Sequence, residues 1–183
     1  MSKRIMLTAA VAVMGLLGAV AGSAEETKRT FGEYTDDTVL LGKVKSALAS
    51  DDTTEAHEIN IEVNKGIVQL NGFVDTEKEK AQATTVAQGV KGVKQVENNL
   101  VVKTEKSSTG QSMDDSTVTA KVNSALIDSK ETKAGDIKVQ TQNGVVQLSG
   151  FVDNEAQKTA AGKVAQSVKG VKEVKNNLHV KGT

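Results

Sequence analysis

The chain has 183 residues, 23 basic and 23 acidic side chains, one tyrosine, three phenylalanines, and no cysteine, proline or tryptophan. The missing cysteines exclude disulfides, thiolate metal sites and thiol catalysis. The even charge balance gives no basis for a general nucleic-acid binder.

In chain order, Lys3 and Arg4 precede an apolar run from Ile5 to Val20, and small residues then offer cleavage after Ala21 or Ala24. This is the pattern of a secretory signal peptide. A retained membrane anchor is the competing reading, because the run is only slightly shorter than the ~20 residues that span a bilayer. Glu25 and Glu26 open a polar stretch, so cleavage after Ala24 is preferred, which places the mature chain in a bacterial periplasm. Residues 1–24 are thus a signal peptide and residues 25–35 a flexible N-terminal segment.

From there one unit is built twice. Residues 36–103 return at 114–181 without a gap, with about half of the positions identical. Each copy opens on an acidic pair, Asp36-Asp37 or Asp114-Asp115, suited to a helix N-terminus. Leu40, Val44, Ala47 and Leu48, matched by Val118, Val122, Ala125 and Leu126, fall on one helical face. Ile59, Ile61 and Val63, matched by Ile137, Val139 and Thr141, alternate as a half-buried strand does. Lys65-Gly66 and Asn143-Gly144 are hairpin turns. The second strand alternates Val68, Leu70, Gly72 and Val74, or Val146, Leu148, Gly150 and Val152.

Asp75 or Asp153 is placed to cap a second helix with the stripe Ala83, Val86, Ala87, Val90, or Ala161, Val164, Ala165, Val168. Gly92 and Gly170 suit its C-terminus. Val96, Asn98, Leu100 and Val102, or Val174, Asn176, Leu178 and Val180, form the last strand. The order α-β-β-α-β predicts an α+β unit, a three-stranded sheet covered on one face by two helices. Residues 104–113, polar throughout apart from Met113, are a linker.

The V-x-L-x-G-x-V strand (Val68–Val74, Val146–Val152), the V-x-G-V-x-x-V turn (Val90–Val96, Val168–Val174) and the N-x-L-x-V ending (Asn98–Val102, Asn176–Val180) resemble the BON domain, present here in tandem. The resemblance covers both repeats. It implies a non-enzymatic protein linked to envelope maintenance and osmotic stress, with anionic phospholipid as a partner and no cofactor.

The residues themselves supply no catalytic set. His57 aligns with Gly135 and His179 with Val101, so neither histidine is repeated. His57 between Glu55 and Glu58 is a solvated imidazole rather than a metal-site signature. Ser149 aligns with Asn71 and has no assignable base. The Gly89-x-x-Gly92 sequence, which would suit a KH-type nucleic-acid clamp, is broken by Ser167 in the second copy.

Strand parity leaves one sheet face uncovered by helices. In the first unit it carries Asn60, Glu62, Gln69, Asn71, Phe73, Glu97 and Val101; the counterparts are Lys138, Gln140, Gln147, Ser149, Phe151, Lys175 and His179. The first unit holds eight lysines against eleven acidic residues, the second ten against eight. Lys138, Lys169, Lys172, Lys175 and His179 of the second unit therefore form the candidate lipid-headgroup patch, with the linker letting both units engage and so raising apparent affinity. Phe73 and Phe151 are candidates for a partner or inter-domain contact. The alternatives are a chaperone-like protein that holds unfolded polypeptides through these phenylalanines, and a scaffold that binds an envelope protein.

Overall fold

A computed structural model describes residues 31–103 and 109–182. The signal-peptide expectation and the first part of the segment after it lie outside the described residues, as do residues 104–108.

The elements of the first unit are α1 (Phe31–Ala49), β1 (Ile59–Asn64), β2 (Ile67–Val74), α2 (Glu77–Gln88) and β3 (Gln95–Val102). Those of the second are α3 (Thr109–Asp128), β4 (Ile137–Gln142), β5 (Val145–Val152), α4 (Glu155–Gln166) and β6 (Glu173–Val180), with a single 3-10 turn at Ala134–Asp136 before β4. β1 and β2 form an antiparallel hairpin, whose turn residues Lys65 and Gly66 both have positive φ, 53° and 83°. Its twist matches that of the flanking strands. α2 then crosses over so that β3 runs parallel to β2, which makes β2 the central strand; β5 is central in the second sheet.

Each unit has its own core. Val44, Leu48, Val68, Leu70, Val74, Ala83 and Ala87 are fully enclosed in the first, and Val122, Val146, Leu148, Val152, Ala161 and Ala165 in the second. These are the positions that the helical and alternating patterns select. Small alanines on α2 and α4 let the helices sit close to the sheet, and truncating a residue such as Leu70 to alanine would cost about 2–5 kcal/mol.

Three local expectations are corrected. α1 and α3 start at Phe31 and Thr109, ahead of the acidic pairs. Asp37 instead accepts from the backbone N–H groups of Lys65 (2.7 Å) and Gly66 (3.0 Å), and Asp115 from those of Asn143 (2.7 Å) and Gly144 (2.8 Å). They fasten the first helix to the hairpin turn. The caps of α2 and α4 are Thr76 and Asn154, whose side chains accept from the N–H of Glu79 (3.0 Å) and Gln157 (2.9 Å). Asp75 and Asp153, one residue earlier, are free to form ion pairs. The same helices end on Gly89 and Ser167 in right-handed conformation, and Gly92 and Gly170 hold their positive φ in the turn that follows.

The largest departure concerns the sheet faces left uncovered by helices. They lie against one another, giving four layers in the order helix, sheet, sheet, helix. Gln69, Asn71, Gln147 and Ser149 are 1%, 0%, 1% and 2% exposed. Gln147 accepts from Gly72 N–H (2.6 Å) and donates to the Asn99 carbonyl (2.7 Å), while Gln69 donates to the Asn177 carbonyl at 3.4 Å. Asn99 and Asn177 are equivalent in the two copies, so the units are related by a pseudo-two-fold axis, as in an isologous dimer. The open faces expected to carry the lipid patch are covered in one packed body, on whose facing sheets the inter-domain candidates Phe73 and Phe151 also lie, and residues 109–113 of the expected linker belong to α3.

Candidate functional site

Equivalent clefts open in the two units, where the first helix passes the hairpin turn and the loop into the last strand. The first, of 290 Å³, is lined by Asp36, Asp37, Val39, Leu40, Lys43, Lys65, Gly66, Lys91, Gly92 and Lys94. The second, of 380 Å³, is lined by Asp114, Asp115, Thr117, Val118, Lys121, Asn143, Gly144, Lys169, Gly170 and Lys172. Three lysines recur: Lys43 with Lys121, Lys91 with Lys169, and Lys94 with Lys172.

The fold explains this convergence. Lys43 lies one residue before the enclosed Val44, so it projects from the flank of α1 while Val44 holds the helix to the core. Lys91 and Lys94 flank the turn at Gly92, whose hydrogen bonds run from Val93 N–H to the Val90 carbonyl and from Lys94 N–H to the Gly66 carbonyl (2.9 Å). The bond from Lys172 to Gly144 repeats the latter at 2.9 Å. Four lysines against Asp36 and Asp37 in the first cleft, and three against Asp114 and Asp115 in the second, leave both with a net positive charge. Val39 adds an apolar contact at the first cleft, being 53% exposed.

The five residues of the expected lipid patch divide into two groups. Lys169 and Lys172 are exposed and come together at the second cleft with Lys121. Lys138, Lys175 and His179 lie on the sheet face turned to the first unit. Lys175 pairs with Glu173 at 3.2 Å. His179 Nδ1 lies 3.3 Å from Glu97 of the first unit, and its ring stands edge-on to Phe151 at 5.7 Å. Lys138 acts on Glu62 across the seam: burial pushes the Glu62 carboxyl up, and Lys138 partly offsets it. Phe73 and Phe151 are each 7% exposed. Phe73 lines an inter-unit groove with Glu58, Lys103, Thr119 and residues of β4.

The cleft lysines of α1 and α3, and the whole of the first cleft, were missed by parity reasoning, which treats strands alone. The available signal was identity between the copies at all three lysine positions.

A second repeated cluster is structural. Lys103 bridges Glu58 (2.5 Å) and Asp75 (3.1 Å), and Lys181 bridges Asp136 (2.8 Å) and Asp153 (2.7 Å). Burial works against both ammonium groups, but their carboxylate partners outweigh it and raise the lysines. Asp153, hydrogen-bonded by Lys133 and by Lys181, is held down to about 2. Glu55, His57 and Glu58 could bring ligand atoms within 4.8 Å of one another, but His57 is 78% exposed and the group has no counterpart in the second unit.

Duplicated α-β-β-α-β units with a shared basic cleft define a tandem two-layer α+β protein. The BON domain matches at residues 36–104 and 114–182, and the chain belongs to that family. It is 36% identical over 151 residues to Osmotically-inducible protein Y of Escherichia coli (strain K12), covering 82% of this chain and 75% of that one. It is 37% identical over 171 residues to the Outer membrane lipoprotein DolP of Haemophilus influenzae, covering 93% and 88%. A 21 kDa hemolysin of Actinobacillus pleuropneumoniae is 36% identical over 147 residues, covering 80% and 75%.

Proposed function

We propose that this is a non-enzymatic periplasmic BON-domain protein that supports the cell envelope under osmotic stress through weak, peripheral association with anionic phospholipid. The relatives support the setting, since one is named for osmotic induction and another as an outer membrane lipoprotein. The observation that carries the mechanism is the recurrence of three lysines around the same cleft in both units. Each lysine near an anionic surface contributes on the order of 1 kcal/mol, an attraction that salt screens. Among the described residues no helix is long and apolar enough to cross a membrane.

The test is co-sedimentation of the mature chain with phosphatidylglycerol-containing and with pure phosphatidylcholine vesicles. Binding to the anionic vesicles alone, falling with salt, is expected. Changing all six cleft lysines to glutamine should abolish it. Changing Lys45, Lys78, Lys80, Lys130, Lys158 and Lys163 instead, for the same net charge, should leave most of it. Equal loss in both variants would sink the cleft assignment. Holding unfolded polypeptides is the competing activity; it needs Phe73 and Phe151, which the seam buries, so it requires the sheets to part and would be indifferent to salt.

A further inference from the structure

The two clefts are arranged to bridge surfaces. β2 and β5 run in opposite directions across the seam: Gly72, late in β2, meets Gln147, early in β5. The ends of the sheets agree, because Glu97 near the start of β3 meets His179 near the end of β6. Phe73, at the far end of β2, lies in a groove with Gln142, which adjoins the second hairpin turn. Each cleft sits beside its own hairpin turn, so the clefts occupy opposite ends of the sandwich. Each also belongs to a helix layer, and these are the two outer layers of the four. An eight-residue strand spans about 26 Å and stacked sheets lie about 10 Å apart, so the clefts are far apart on a diagonal.

One flat membrane laid against either end or either outer layer of the sandwich therefore meets one cleft only. Resting on the proposed lipid function, we infer that the protein is a bivalent cross-bridge, which joins two anionic phospholipid surfaces through equivalent lysine clefts instead of gripping one surface twice. The pseudo-two-fold axis supplies the geometry: it reverses both the strand direction and the layer order, the two directions perpendicular to it, and so places the clefts at opposite ends and on opposite outer layers. The bound lipid chemistry at each end is the phosphodiester headgroup of an anionic phospholipid, met by three shared lysines, with Lys65 as a fourth in the first cleft.

Tethering of donor- and acceptor-labelled phosphatidylglycerol vesicles tests this, read by energy transfer and light scattering beside co-sedimentation. Wild-type protein should tether, with a maximum at intermediate protein-to-lipid ratio and a decline when excess protein saturates both surfaces separately. Lys43, Lys91 and Lys94→Gln, or Lys121, Lys169 and Lys172→Gln, should each keep vesicle binding but lose tethering at least tenfold. Circular dichroism confirms that each variant is folded. Wild-type binding without tethering would overturn the bridge and leave the lipid function standing, as would tethering by a one-cleft variant at the wild-type level. No wild-type binding to the vesicles would overturn both.

Discussion

Asp37 shows how a single carboxylate joins two elements. Both of its oxygens are used by consecutive N–H groups of a turn that is distant in sequence, and it is 7% exposed. A buried charged acceptor of this kind is worth about 1.5–3 kcal/mol per contact, and its loss leaves two buried donors unpaired. Asp37→Ala should therefore lower the stability of the first unit by about 3 kcal/mol in denaturant titration, with Asp115→Ala acting equally on the second. A change under half a kcal/mol would show that the turn forms unaided. Asp153 makes a prediction in pH. Its folded pKa of about 2 lies below the ordinary 3.8, so its contribution is complete above about pH 4 and disappears as pH falls through 2. A carboxyl titration by NMR should show this, and Lys181→Met should move the midpoint upward; an unmoved midpoint would mean that Lys181 does not hold the carboxylate.

At the scale of elements, much of the fold was legible. Val68, Leu70 and Val74 are enclosed as their alternation requires, and the Asn143-Gly144 turn has the two positive φ values that its residues favour. Cap positions were less legible: adjacent polar residues such as Asp75 and Thr76 satisfy the same preference, and the partner Lys103 lies far along the chain. The alternation makes Gly72 and Gly150 ordinary core-facing strand positions, yet they have φ of 136° and 122°, and a Cβ would lie 2.1 Å from the Glu58 carbonyl oxygen or 2.2 Å from that of Asp136. The residue before β1 presses its backbone there, which no local pattern reveals. Gly72→Ala should cost about 3 kcal/mol through strain and forced separation of the strand ends. Retention of the wild-type melting temperature would contradict this packing.

At the scale of the whole molecule, parity identified the faces without helices but could not say what covers them, because Gln69 and Asn71 suit water and a polar partner equally well. The seam is polar, and among the described residues both side-chain amide atoms of Asn71 and Gln69 Oε1 are buried without a hydrogen-bond partner. Buried amides in that state weaken an interface. The two cores share no residues, so opening the seam need not unfold either unit. Gln69→Glu with Asn71→Glu places two like charges at positions 1% and 0% exposed, whose cross-strand neighbours are Glu62, Glu97, Asn60 and Asn99. Small-angle scattering should then show an increased radius of gyration, while NMR signals of Val44, Leu70, Val122 and Leu148 stay close to wild type. Freed from the opposed geometry, both clefts can turn to one membrane. Binding to a single supported anionic bilayer should tighten by about tenfold through effective concentration even though two negative charges were added, and vesicle tethering should fall. Tighter binding with undiminished tethering would show that the packed orientation of the units does not govern which surfaces the protein joins.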